Sequence, residues 1–315
     1  MITIAPAARP TQAPKPARFD PTLVRYSLRW LGAGAAVSTL ATLAVQRGGS
    51  PTAAMLGIAG LAGATYATLL EPRRPVLEHI TLRLPTLPPA LDGMRIGQLS
   101  DLHLGHVHTY ANTAWAVQQM VREQPDLLVM TGDYVNFEHA VADLPHLLRP
   151  LRAPLGIYAV PGNHDHLEGL EHIQNCLAPL GVTFLINSHR PLSWRGATLW
   201  LVGVDDMWSG GADLDAALRS VPTDGFKLLL AHEPDMADMA AERNVALQFS
   251  GHTHGGHLCL PLLGSFCLPL YGLRYPVGLE RVGSTYVYVS RGLGGMPLRL
   301  GCPPEATIFT LTRGT

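Results

Sequence analysis

The chain has 315 residues, enough for one sizeable domain or two small ones. Hydrophobic residues make up 47% and charged residues 15%, and a mean hydropathy of +0.15 is high for a soluble enzyme, which points to membrane-embedded segments. With 23 Lys and Arg against 24 Asp and Glu, there is no basic excess to neutralise a nucleic-acid backbone. Four cysteines without a Cys-x-x-Cys pair argue against a zinc ribbon or thioredoxin-like site, and fit free thiols in a reducing compartment. Histidine, by contrast, is abundant at 14 residues, many of them close to Asp or Asn.

Residues 1–22 are rich in Pro and Ala and read as a disordered tail. Residues 23–72 form a predicted anchor with apolar segments at 26–45 and 52–70, each close to the ~20 residues that cross a bilayer core. Small residues at Gly32, Ala36, Gly60 and Ala64 favour close helix packing, so the pair is predicted as a transmembrane helical hairpin. Arg25 and Arg29 lie at the first span, Arg73 and Arg74 follow the second, and Arg47 stands alone between them. The positive-inside rule then places both ends, and the domain beyond, in the cytoplasm at the inner (plasma) membrane. The competing arrangement is a signal anchor with an exported domain. There is no twin-arginine pair before the first span and no clean small-residue cleavage site after it.

From residue 75 to 315 the texture changes to short apolar runs alternating with helical stretches. Strands are predicted at 76–84, 95–99, 127–130, 157–160, 183–186, 198–204, 226–230, 246–249, 285–289 and 307–311. Helices are predicted at 109–123, 140–148, 166–177 and 213–219. This alternation, growing strand-rich toward the end, predicts an α/β domain of two mixed sheets covered by helices.

The informative feature is where ligand-type residues fall. Asp101 and His103 follow one strand, Asp133 another, and Asn163, His164 and Asp165 a third. His232 follows a fourth, and His252 with His254 a fifth. Taken singly, each has a plain reading: a solvated pair, a turn, a helix cap, a satisfied histidine. Five strands each delivering such a group at one end point instead to one assembled site. Oxygen and nitrogen ligands without thiolate suit Mn, Fe, Zn or Co.

The order Asp-x-His, Gly-Asp, Gly-Asn-His-Asp, His, Gly-His-x-His resembles the calcineurin-like metallophosphoesterase family from about residue 75 onward. The resemblance implies a four-layer αββα sandwich and two divalent metal ions. It assigns Asp101, His103, Asp133 and His254 to one ion, and Asp133, Asn163, His232 and His252 to the other, so that Asp133 bridges. It makes His164 the acid near the leaving group and Asp165 the residue that orients it. Two cations sharing a hydroxide can offset the negative charge of a phosphodiester or pyrophosphate and aim the attack in line.

Within the family the chain resembles a bacterial membrane-associated branch, through Gly-His-Thr-His-Gly-Gly at 251–256 and Val-Ser-Arg-Gly-Leu-Gly at 289–294. Some of that branch resemble UDP-2,3-diacylglucosamine pyrophosphatases, which implies a lipid-linked substrate. Others are general phosphodiesterases for soluble substrates, and a non-catalytic scaffold on the same fold is a third reading. His257 stands where the branch has Gln. Arg291 is a candidate phosphate clamp, with Arg299 a weaker one. The apolar run 258–273 reads either as a lip for acyl chains or bilayer, or as a buried strand and turn.

Overall fold

The structure is a computed structural model that describes residues 50–260 and 262–314, together with 39, 40, 42, 43 and 46–48. The predicted tail, and all but those few residues of the first apolar segment, lie outside the described residues. The second segment is a helix, α1 (Pro51–Thr65), continued by a π-helical turn at Tyr66–Leu70 and a 3-10 turn at Glu71–Arg73. Among the described residues, Ala54–Arg73 is the one helical stretch long and apolar enough to cross a membrane by length and composition. Pro72, which has no N–H to donate, sits in its last turn, and Arg299 N donates to the Ala67 carbonyl at 2.8 Å.

Two six-stranded sheets follow. The first has the order β1 (Val76–Leu84), β14 (Glu305–Arg313), β2 (Arg95–Leu99), β3 (Leu127–Thr131), β4 (Ile157–Val160), β5 (Val182–Phe184). The second runs β12 (Gly278–Val282), β13 (Thr285–Val289), β9 (Leu247–Ser250), β8 (Phe226–Leu230), β7 (Ala197–Gly203), β6 (Ser188–Trp194). β2, β3 and β4 are parallel, as are β7, β8, β9 and β13. Each set therefore brings its carboxyl ends to one edge.

Strand periodicity builds the layers. In β3, Leu127 and Val129 face the second sheet in a core shared with Leu228, Leu230, Leu247 and Phe249. Leu128 and Met130 face outward onto α2 (Val107–Glu123), α3 (Leu144–Leu148) and α5 (Leu170–Leu177), the last following the short α4 (Asn163–Glu168). On the far side, Val202 and Leu229 pack on α6 (Leu214–Ala217) and α7 (Ala237–Glu242). Helix, sheet, sheet and helix are thus stacked.

Three differences from expectation have local causes. The predicted helix 166–177 is divided, because Gly169 adopts φ 103° between α4 and α5. The edge strands β6 and β12 are largely half-buried or exposed, so they carry little of the apolar signal that marks a strand. The run 258–273 forms only a short hairpin, β10 (Cys259–Leu260) and β11 (Gly264–Ser265), with much of its apolar surface outside.

Candidate metal centre

The carboxyl ends of β2, β3 and β4 meet those of β8 and β9 across the seam between the sheets. A polar side chain fastens that seam, Gln98 Nε2 donating to Ser250 O at 3.0 Å, while Ser100 Oγ donates to Thr131 O at 3.2 Å within the first sheet. Five of the seven predicted ligands take left-handed backbone, with φ of 51° at Asp101, 44° at His103, 56° at Asp133, 72° at His252 and 53° at His254. Non-glycine residues adopt that region at a cost, and such strain concentrates at functional sites.

The side chains converge. Asp133 Oδ2 lies 3.3 Å from His103 Nε2 and 3.3 Å from His232 Nε2, while its Oδ1 accepts from His164 N at 2.9 Å. His254 Nε2 lies 3.5 Å from Asp101 Oδ1 and 3.2 Å from His103 Nε2. The His252 ring stands 4.9 Å from that of His232. Asp101, His103 and His254 form one group able to hold a cation, Asp101, Asp133 and His232 another, and His103, Asp133 and His164 a third.

Outer partners fix which ring nitrogen faces inward. His103 Nδ1 pairs with Asn136 Oδ1 at 2.6 Å, His232 Nδ1 with Thr131 O at 2.6 Å, and His252 Nε2 with Leu270 O at 2.8 Å. Each contact directs the other nitrogen inward. Arg299, almost fully buried, donates to His254 Nδ1 at 3.1 Å and to the carbonyls of Arg291, Gly294, His254 and Cys302.

The donor set fits cations. Asn163 Oδ1 and His232 Nε2 are buried with no hydrogen-bond partner, the latter near Asp133 but out of alignment. Buried polar atoms are normally paired, so these two are explained by a ligand. Burial lowers the proton affinity of His252 to about 4, and burial with the adjacent Arg299 holds His254 well below the ordinary imidazole range. Both rings are neutral at neutral pH, and because His252 Nε2 donates to Leu270 O, its Nδ1 keeps a free lone pair.

Two assignments change. The Asp165 carboxylate accepts from the backbone N–H groups of Asp133, Tyr134 and Gly162, each at 2.8 Å, rather than from the His164 ring. It braces the turn that presents Asp133 and does not orient His164. The Arg291 guanidinium is held between Glu78 and Glu305 and does not line the cavity, so it is not a phosphate clamp. His257, where a Gln was expected, stacks on His254 at 4.9 Å, and burial lowers its proton affinity to about 3.

Sequence reasoning missed several contributors. Asn136 carries a signal in retrospect, as a polar residue three positions past Asp133 on the same turn. Glu233, beside His232, accepts from the N–H groups of Met207 and Trp208 at 3.1 and 3.3 Å and so shapes the loop that carries Trp208. Trp208 is half-exposed and faces a cavity of about 930 Å³. That cavity opens over His103, Asp133, Asn163, His164, His252 and His254.

Clustered imidazoles and carboxylates at the carboxyl ends of two facing sheets, open to one cavity, define a metal-dependent hydrolase. Residues 94–256 match the calcineurin-like phosphoesterase family, and the chain belongs to it; it is a phosphoester hydrolase. It is 37% identical to the metallophosphoesterase YkuE of Bacillus subtilis, over 79% of this chain and 90% of the relative. It is 33% identical to the phosphodiesterase YaeI of Escherichia coli, over 68% and 80% of the two chains. It is 31% identical to a transmembrane protein with metallophosphoesterase domain of Danio rerio, over 79% of this chain and 60% of that one.

Proposed function

We propose that the protein is a membrane-anchored, two-metal hydrolase of phosphodiester or pyrophosphate bonds, acting on an amphiphilic or nucleotide-lipid substrate at the cytoplasmic face of the inner membrane. The observation that carries the metal reading is Asp133 Oδ2, placed equally at 3.3 Å from His103 Nε2 and from His232 Nε2, the latter buried without a hydrogen-bond partner, as is Asn163 Oδ1. Asp101, His103, Asp133 and His254 would hold one divalent cation and Asp133, Asn163, His232 and His252 the other. Bound there, the cations would neutralise charge on the phosphoryl group and lower the pKa of the attacking water.

The chain's own groups do the rest. His164 lines the cavity with its ring 4.7 Å from that of His103. Burial and the neighbouring His103 lower its proton affinity, so protonated His164 is a stronger acid than a free imidazole but a less populated one at neutral pH. Asp165 keeps the Asp133 turn fixed while charge builds in the site. Trp208 and Met296 give the cavity apolar walls suited to a substrate with a hydrophobic part. The division at residues 72–75 between anchor and catalytic domain belongs to the same proposal, although Ala67, Thr68, Glu71 and Pro72 already pack into the domain.

A purified full-length chain should bind two Mn ions and cleave bis(p-nitrophenyl) phosphate only when they are present. Asp133→Ala should lose metal and turnover together, whereas His164→Ala should keep the metal and lose ~10²–10⁴ in kcat. Equal turnover by metal-stripped protein would end the metal reading. Preference for soluble diesters over a nucleotide-linked lipid in mixed micelles would end the lipid one.

A further inference from the structure

The 258–273 segment contains no charged side chain, and the fold leaves residues 262–264, 266, 267, 270 and 273 exposed. Leu262 is fully exposed, Leu263 is 70% exposed, and Phe266, Leu270 and Leu273 are 55%, 53% and 61% exposed. Single exposed apolar residues need no explanation, but five large ones within residues 262–273 make a patch. Each forgoes part of the favourable burial of its apolar surface by staying in water.

The connections of the hairpin indicate what covers it. Its root is paired with the strand-like segment at 300, through Cys259 N to Leu300 O at 2.8 Å and Leu300 N to His257 O at 2.9 Å. The adjacent residue, Arg299, donates through its N–H to Ala67 O in the last turns of the apolar helix. Those turns are fixed rather than tethered: Cys302 N donates to Glu71 Oε1 at 2.7 Å, and Asn112 Nδ2 to Pro72 O at 2.9 Å. The helix itself leaves the domain with Met55, Leu56 and Ile58 exposed. Two apolar elements therefore spring from neighbouring residues of one backbone segment, and a bilayer is a partner that receives both. The inner side of the hairpin, at Cys267, Leu268 and Pro269, is a wall of the cavity above the candidate ligands.

We propose that the 258–273 hairpin is an interfacial membrane-contact loop. It seats Leu262, Leu263 and Phe266 at the boundary between headgroups and acyl chains beside the anchor, and so holds the cavity mouth against the lipid surface. The inference rests on the proposed membrane anchor. It adds that the active-site wall is itself in contact with lipid, so that an amphiphile reaches the ligands along Leu268 and Met296 without leaving the membrane.

The test uses the full-length chain in phosphatidylcholine–phosphatidylglycerol vesicles, with an environment-sensitive fluorophore on Leu262→Cys in a background where Cys176, Cys259 and Cys267 are Ser. The expected result is a blue-shifted emission quenched by lipids carrying a nitroxide high on the acyl chain. The same label at exposed Leu167 should stay in water, and at Ile58 it should be quenched. A label at Leu262 that behaves like the one at Leu167, while Ile58 is quenched, overturns the loop and leaves the anchor standing. Loss of both signals overturns the anchor reading and the loop with it. A label at Leu262 that is shielded but unquenched, in a chain that is dimeric in detergent, assigns the patch to a second copy and also overturns the proposal. In the kinetic arm, Leu262→Glu with Leu263→Glu should lower hydrolysis of a vesicle-embedded phosphodiester by at least ~10-fold and leave bis(p-nitrophenyl) phosphate unchanged. Equal loss on both substrates, or on neither, overturns it.

Discussion

Gly162→Ala isolates the steric demand of the centre. Gly162 precedes α4 with φ −118° and ψ 178°, extended backbone that alanine adopts freely, so the substitution adds a methyl group without dihedral strain. That methyl would stand 2.4 Å from Asp133 Oδ1, 2.8 Å from Asp133 N and 2.9 Å from His232 Cδ2. Contact at ordinary van der Waals distance requires a retreat on the order of 1 Å, and the most mobile of the three is the Asp133 carboxylate. Overpacking of this kind costs ~1–3 kcal/mol. The larger effect is functional: a ~1 Å misplacement of a reacting group costs ~10²-fold in rate. Metal affinity should fall by ~10–100-fold, as it does when the groups behind a ligand are disturbed. Calorimetric titration with Mn, thermal unfolding with and without Mn, and hydrolysis of bis(p-nitrophenyl) phosphate read the three effects separately. A variant that binds Mn and turns over within about twofold of the parent would refute the role given to Asp133.

Two further outcomes follow from particular contacts. Arg291→Gln leaves Glu305, 2% exposed, without its cation; unfolding in urea should show a loss of ~3–5 kcal/mol while KM stays unchanged, and a raised KM with intact stability would restore the phosphate-clamp reading. In His103 and His232 burial opposes the charged form, yet Asp133 outweighs it and raises both proton affinities above the ordinary imidazole value. In the metal-free protein these pairs stabilise the fold below the unfolded imidazole pKa, and that contribution is lost as pH rises through the raised values. A cation must displace the same protons, so Mn should bind more weakly as pH falls and release protons on binding. Titrations in buffers of different ionisation enthalpy measure that release, and its absence near neutral pH would contradict the ligand roles of both residues.

The centre was legible because metal ligation demands chemical types that few other tasks use. Asp101, His103, Asp133, Asn163, His232, His252 and His254 each follow a strand whose apolar run is short and fully buried, so both the strand and its payload leave a mark. Strand bounds at 95–99, 157–160, 226–230 and 285–289 agree with the structure for the same reason, whereas 76–84, largely half-buried or exposed, agrees through its alternation. What was illegible depends on partners distant in sequence. Arg299 reads as an unremarkable basic residue until its burial against His254, 45 positions away, is known. Arg291 sits in a glycine-rich loop that suits phosphate, and only the approach of Glu78 and Glu305 reveals its occupation. The hairpin at 258–273 has a composition that fits core and membrane equally, because both environments select for the same side chains.

The placement of the ligands also explains why the two sheets face each other as they do. The first sheet supplies Asp101, His103, Asp133 and Asn163, and the second supplies His232, His252 and His254. Crossing contacts tie the donors of one to the backbone of the other: His232 Nδ1 to Thr131 O, and His252 N to Asp101 Oδ1 at 3.0 Å. A hydrophobic interface such as that between Val129 and Leu228 fixes the spacing of the sheets but tolerates sliding, since dispersion is not directional. Hydrogen bonds across the seam at the carboxyl edge remove that freedom where the chemistry needs it removed. The left-handed backbone at five candidate ligands is the local cost of bringing donors from two sheets into a space of a few ångströms. That cost is tolerable only because the apolar layers behind each strand hold the remainder of the chain in ordinary geometry.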